Sequence, residues 1–121
     1  MMSLLIEPER DCVVLAFGTR GKDLPLTFEQ AETVARVLRD KAAVCKAWVD
    51  AGGARRLATE HRGIGVEGKM DGTLQDGRIW LRFPETVKTE KVPFEAAIQL
   101  ADAIEATLRQ LCYKVLWKRG Y

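Results

Sequence analysis

The chain has 121 residues, 47% apolar and 30% charged, with 19 Lys and Arg against 17 Asp and Glu. This is the composition of one globular domain and excludes a disordered or collagen-like chain. A net charge of +2 with the signs interleaved names no partner by electrostatics alone.

No apolar run approaches the roughly 18 to 20 residues needed to cross a bilayer, and residues 1–6 lack the basic leader and long apolar stretch of a signal peptide. Cys12, Cys45 and Cys112 are odd in number and lie outside any C-x-x-C pattern, so they read as free thiols, not as a disulfide frame or zinc site. A reducing, cytoplasmic setting is the expectation, with no cofactor required for folding.

Leu4 to Ile6 reads as a short strand that leads through residues 8–11 into a second strand, in which Val13, Leu15 and Phe17 alternate as one half-buried face. A polar loop is expected over 18–23. Leu26 follows in a short extended piece, and Pro25 predicts an edge strand or extended connection, because proline has no N–H for a central ladder. Thr27 and Gln30 have the spacing of a capping box. Ala31, Val34, Ala35, Leu38, Ala42, Cys45 and Val49 then form the apolar stripe of a long amphipathic helix, closed by Gly52 and Gly53.

The same order returns 66 positions later: Leu15 falls on Leu81, Phe17 on Phe83, Phe28 on Phe94, Glu29 on Glu95, Ala31 on Ala97 and Ala35 on Ala101, without a gap. Residues 54–61 have the composition for one or two helical turns. A strand over 64–70 leads through Asp71-Gly72 and Asp76-Gly77, which suit tight turns, into Ile79, Leu81 and Phe83. A polar loop is expected over 84–90, then Val92. Pro93 suits the first position of the second helix, whose stripe is Ala97, Leu100, Ala101, Ile104, Leu108, Leu111 and Val115. The expected fold is α+β: an internally duplicated strand–strand–helix unit, with an antiparallel sheet of about four to six strands and two long amphipathic helices on one face. Residues 1–121 form a single domain, with copy one at about 3–50, a connecting segment at 51–63 and copy two at about 64–121.

The chemistry-bearing motifs are weak. Gly63, Gly65 and Gly68 match G-x-G-x-x-G, but the residues after them are rich in turn formers and open no helix that would present its N-terminus to a phosphate, so a glycine-rich strand is the better reading. His61, the single histidine, has no clear nucleophile to serve: Cys45 and Cys112 fall on or beside apolar stripes, where cysteine behaves as a small hydrophobe. Glu29 and Glu95 fit a first-turn role beside the helix dipole better than a catalytic pair. No catalytic or metal residue is assigned, and an enzyme is not expected.

The second helix adds apolar residues off the shared stripe, and Trp80 falls on the strand face opposite Ile79 and Leu81. Trp80, Ile98, Tyr113, Leu116, Trp117 and Tyr121 are therefore the expected contact residues for another protein or a second copy of this chain, since Trp and Tyr dominate interface hot spots. The leading expectation is a non-catalytic protein–protein interaction module: an accessory, adaptor or inhibitor protein of the kind also carried by phages and mobile elements. The competing expectation is a small nucleic-acid-binding protein using Arg55, Arg56, Arg62, Lys118 and Arg119, the last two interleaved with aromatic residues. No membrane partner is expected.

Overall fold

The computed structural model describes residues 4–55, 63–70 and 77–118, and within these the side chains of all but residues 18–20 and 112–118. The protein is α+β. The elements run β1 (Leu4–Glu9), β2 (Cys12–Leu26), α1 (Phe28–Asp50), β3 (Gly65–Met70), β4 (Gly77–Pro93) and α2 (Phe94–Lys118). Among the described residues four strands form one antiparallel sheet in the order β1-β2-β4-β3.

The two middle strands are much longer than their apolar cores. The expected polar loops over 18–23 and 84–90 are instead parts of continuous strands, because β2 and β4 lie side by side from Cys12↔Pro93 to Leu26↔Ile79. Each polar stretch has the other strand to satisfy its backbone groups, and register shifts between Ala16 and Gly21 and between Gly21 and Asp23 absorb the irregularity. Pro25 is accordingly not in a separate piece. It stands opposite Trp80 in the part of β2 that β1, which stops at Leu4↔Phe17, does not reach. Its missing N–H can face the open side of the strand.

β1 is longer than the sequence suggests. It continues to Glu9, paired with Cys12, and the reversal is made by Arg10 and Asp11 alone, with Arg10 at φ 60°. The counterpart reversal between Met70 and Gly77 falls on residues 71–76, outside the described residues, as do residues 56–61 of the expected helical turns; Ala54 and Arg55 have no regular structure.

α1 begins as its sequence predicts. The Gln30 amide donates to Thr27 Oγ1 (3.1 Å) and the Thr27 amide to Gln30 Oε1 (3.0 Å), which completes the capping box. Its far end is a Schellman closure: Gly52 (φ 104°) donates to the Val49 carbonyl and Gly53 to that of Trp48, both at 3.0 Å. α2 starts differently. Pro93 is the last residue of β4, not the first of the helix, and the Phe94 amide donates to the Asp11 carbonyl (3.2 Å), so the β1–β2 turn holds one of the free amides at that helix start.

The core is built from one face of each strand and one stripe of each helix. Val13, Leu15, Leu26, Ile79, Leu81, Phe83 and Val92 are buried from the strands. Ala31, Val34, Ala35, Leu38, Ala42 and Cys45 of α1 are buried, as are Ala97, Leu100, Ala101, Ile104, Leu108 and Leu111 of α2. α1 packs on β1 and β2, α2 on β3 and β4, and the helices pack on each other. The stripes end where charge begins: the Arg39 guanidinium bridges Asp102 and Glu105 across the helix pair.

Candidate interaction surface

Among the described residues β1 and β3 are the outer strands, so each leaves one row of backbone groups without a described sheet neighbour. Their surroundings differ. On the β3 side the helix closes down: Gly68 lies so near α2 that a Cβ there would stand 2.7 Å from both Thr107 Cγ2 and Leu111 Cδ1. Glycine is what lets this strand and helix touch, and it explains the glycine-rich segment without a nucleotide.

On the β1 side α1 also packs on the strand, but an opening remains between them. A groove of about 400 Å³ runs between them, lined by Leu4, Ile6, Val34 and Val37, with Asp40 and Lys41 along its wall. Leu5 (58% exposed) also lines it, and the other large apolar side chains most exposed among the described residues, Val44 (54%) and Trp48 (38%), follow along α1, with the Trp48 ring close to Gly53. Val37, Lys41, Val44 and Trp48 succeed one another by four, three and four positions, so they form a second stripe on α1 next to the buried one. A free strand edge, an apolar groove and an exposed apolar stripe therefore meet in one place. A second cavity, about 140 Å³ beside Ile64, Val92 and Leu100, is below the size of a small-molecule site.

Of the expected contact residues, the two whose side chains are described, Trp80 and Ile98, do not line the groove between β1 and α1. Trp80 is half-buried on β4, opposite Glu67 on one side and Pro25 on the other, with the Lys69 ammonium 5.8 Å from its ring centroid. Ile98 is half-buried against the core. Tyr113, Leu116 and Trp117 belong to α2, but their side chains lie outside the described residues, as does Tyr121 altogether.

Of the basic residues expected to meet nucleic acid, Arg55 alone has its side chain described, and it is engaged. Arg55 donates to Glu95 Oε1 (2.6 Å) and stands 4.8 Å over the Phe94 ring, so it ties the segment after α1 to the start of α2. This pairing holds the Glu95 carboxyl below its ordinary range. Arg56, Arg62, Arg119 and His61 lie outside the described residues, and so does the side chain of Lys118. Among basic residues not singled out in the sequence, Arg82 meets Glu67 (3.0 Å) and Lys91 meets Glu9 (3.2 Å).

The described thiols are buried and engaged as donors: Cys45 Sγ to the Cys12 carbonyl (3.1 Å), Cys12 Sγ to that of Glu9 (3.2 Å). Burial pushes both thiols up, away from the reactive thiolate. Among the described residues no three His, Cys, Asp or Glu side chains converge, and no helix is long and apolar enough to cross a membrane.

Leu5, Val44 and Trp48 are absent from the sequence-derived contact set. Their signal was present as the four-three-four spacing beside the buried stripe of α1, but periodicity shows two adjoining apolar stripes without saying which one the sheet covers. The chain matches no protein-family model and has no significant match among curated proteins or solved structures.

Proposed function

We propose that this chain is a non-catalytic protein-interaction module that engages its partner along the free edge of β1 and the adjoining groove on α1. The observation that carries this reading is the coincidence of an unpaired strand edge with an apolar groove and with exposed Leu5, Val44 and Trp48. An extended segment added to an open edge gains main-chain hydrogen bonds from the strand and places alternate side chains in the neighbouring groove. Apolar side chains gathered at such a place mark interaction surfaces more often than scattered ones do.

The fold is read here as two descendants of one strand–strand–helix segment, related by a pseudo-twofold axis, with both helices over the same face of the sheet. Four relationships support this. Val13 faces Val92 while Leu26 faces Ile79, the pairing that results when the 66-residue shift exchanges the two members. The equivalent rings of Phe17 and Phe83 meet edge to face at 4.9 Å. The equivalent side chains of Arg39 and Glu105 meet between the helices. Every buried stripe residue of α1 from Ala31 to Cys45 has a buried counterpart in α2. Both halves end in an outer strand, and the second is packed tightly on its helix at Gly68, against Thr107 and Leu111, whereas the first keeps a groove beside its helix.

Site-specific photocrosslinking tests the module. A photoreactive residue at Val44 should give a discrete protein adduct in the native host, and one at exposed Arg109 of α2 should not. Equal labelling from both positions, or none from Val44, overturns the reading.

A second reading, nucleic-acid binding, is favoured by Trp80 beneath Lys69 with Arg82 on the adjacent outward position of β4. It is weakened by Glu67, which neutralises Arg82 and stands 3.9 Å from Lys69. Oligonucleotide binding that falls steeply with added salt and is lost in Trp80→Ala would favour it over the protein partner.

A further inference from the structure

Resting on the interaction-module reading, we infer that the occupant of the β1 edge and α1 groove is a second copy of this chain, joined by antiparallel β1–β1 pairing about a twofold axis that passes by Leu5. The inference stands on two independent features, the direction of the backbone groups on β1 and the charges in the groove.

Pro8 pairs with Val13 in the sheet register. It has no N–H, so its place in the antiparallel ladder is one where the amide points away from β2. By the alternation of a strand, Leu4 and Ile6 then also point their N–H and C=O groups to the open edge. Two β1 strands set antiparallel with Leu5 opposite Leu5 bring Leu4 of each against Ile6 of the other, and both pairs exchange both hydrogen bonds. Sliding the strands to set Ile6 against Ile6 brings Leu4 against Pro8, and the Leu4 carbonyl then faces a nitrogen without a hydrogen. The register centred on Leu5 thus keeps the hydrogen-bonded pairs to Leu4 and Ile6, and it places two exposed leucines side by side.

The groove supplies the second feature. An interface about a twofold axis must be complementary to itself, so residue i meets j of the partner while j meets i. Asp40 and Lys41 are adjacent, opposite in charge and in the same groove. Neither has an ion-pair partner among the described residues. With α1 of each copy beside the other, Asp40 of one falls near Lys41 of its partner twice over, flanked by Val37, Val44 and Trp48.

Reversing single charges tests this. The unaltered protein should sediment as a dimer. Asp40→Lys alone leaves two positive groups on each copy and Lys41→Asp alone two negative ones, so each should self-associate roughly tenfold or more weakly. Mixing the two variants should restore a heterodimer, which would also show that both are folded. A protein that stays monomeric at every soluble concentration overturns the inference, and so does a dimer indifferent to both reversals. A monomer that still gives a Val44 adduct with a different protein ends the second-copy assignment and leaves the module reading standing; no adduct in any form ends both.

Discussion

Arg39 and Glu105, 66 positions apart, join the two helices through a forked contact: Nε donates to Oε1 at 3.2 Å and Nη2 to Oε2 at 2.9 Å, with Asp102 as a further acceptor. If a repeated segment lies behind the fold, these were once identical residues facing one another. Like charges there would repel, and the pair has resolved into opposite ones. The reversed pair Arg39→Glu with Glu105→Arg should therefore melt close to the unaltered protein, though Asp102 then faces a carboxylate and leaves a small deficit. Each single reversal should melt clearly lower. Thermal melts of the three variants check this, and additive losses in the double variant would show that the two groups do not interact.

Leu38 and Ile104 are fully buried at corresponding points of α1 and α2. Truncating either to Ala should cost about 2 to 5 kcal/mol, from lost apolar contact plus the cavity left behind. The two losses should be similar, as read by urea unfolding with an unchanged slope. A cost below about 1 kcal/mol at one position alone would mean that the packing around it collapses far more easily.

Gly68 permits β3 and α2 to touch, so its replacement tests how tightly that side is closed. Gly68→Ala puts a methyl 2.7 Å from Thr107 Cγ2 and Leu111 Cδ1 and should destabilise by about 1 to 3 kcal/mol. Adding Thr107→Ser, which deletes the colliding methyl, should recover part of the loss in chemical denaturation. A Gly68→Ala variant as stable as the unaltered protein would show that α2 can lift from β3 at no cost.

Acid and alkali should act on different contacts. Glu95 has its carboxyl pKa lowered below 4.5 by the hydrogen bond from Arg55. Its contribution is full above the unfolded value and is lost as pH falls through the lower folded value, so Arg55→Gln should flatten the acid limb of a melting-temperature profile below about pH 4.5. Burial raises Cys12 and Cys45 above 9.0, so their contribution is full below that value and is lost as pH rises through the folded ones. Cys45→Ala should make the alkaline decline shallower.

The helices were legible because a helix carries its own signals: the stripe beginning at Ala31, the Thr27–Gln30 box and the Gly52–Gly53 closure are all local. The strands were legible only where one face is apolar. Residues 18–23 and 84–90 are polar, which ordinarily marks a loop, and they become strand because each lies against the other's chain, a non-local pairing with no trace in either stretch alone. Pro93 shows the same limit, since the carbonyl that receives the amide at the start of α2 belongs to Asp11, 83 positions back. For the surface, Trp80 was correctly read as lying across the strand from Ile79 and Leu81. Arg55, read as available for phosphate, is held by Glu95 and Phe94.

By itself the sequence determined the apolar period of each helix and of the apolar strand stretches, where α1 caps, and that the chain folds as mixed α and β structure. These follow from the chemistry of residues a few positions apart. Tertiary structure alone decided that β2 and β4 pair from Cys12↔Pro93 to Leu26↔Ile79 across two register shifts, that α2 presses on β3 at Gly68 while a groove stays open between α1 and β1, and that Leu5, Val44 and Trp48 are left exposed. Those outcomes depend on how closely two elements distant in the chain approach, and that distance is set by the volume of every side chain between them.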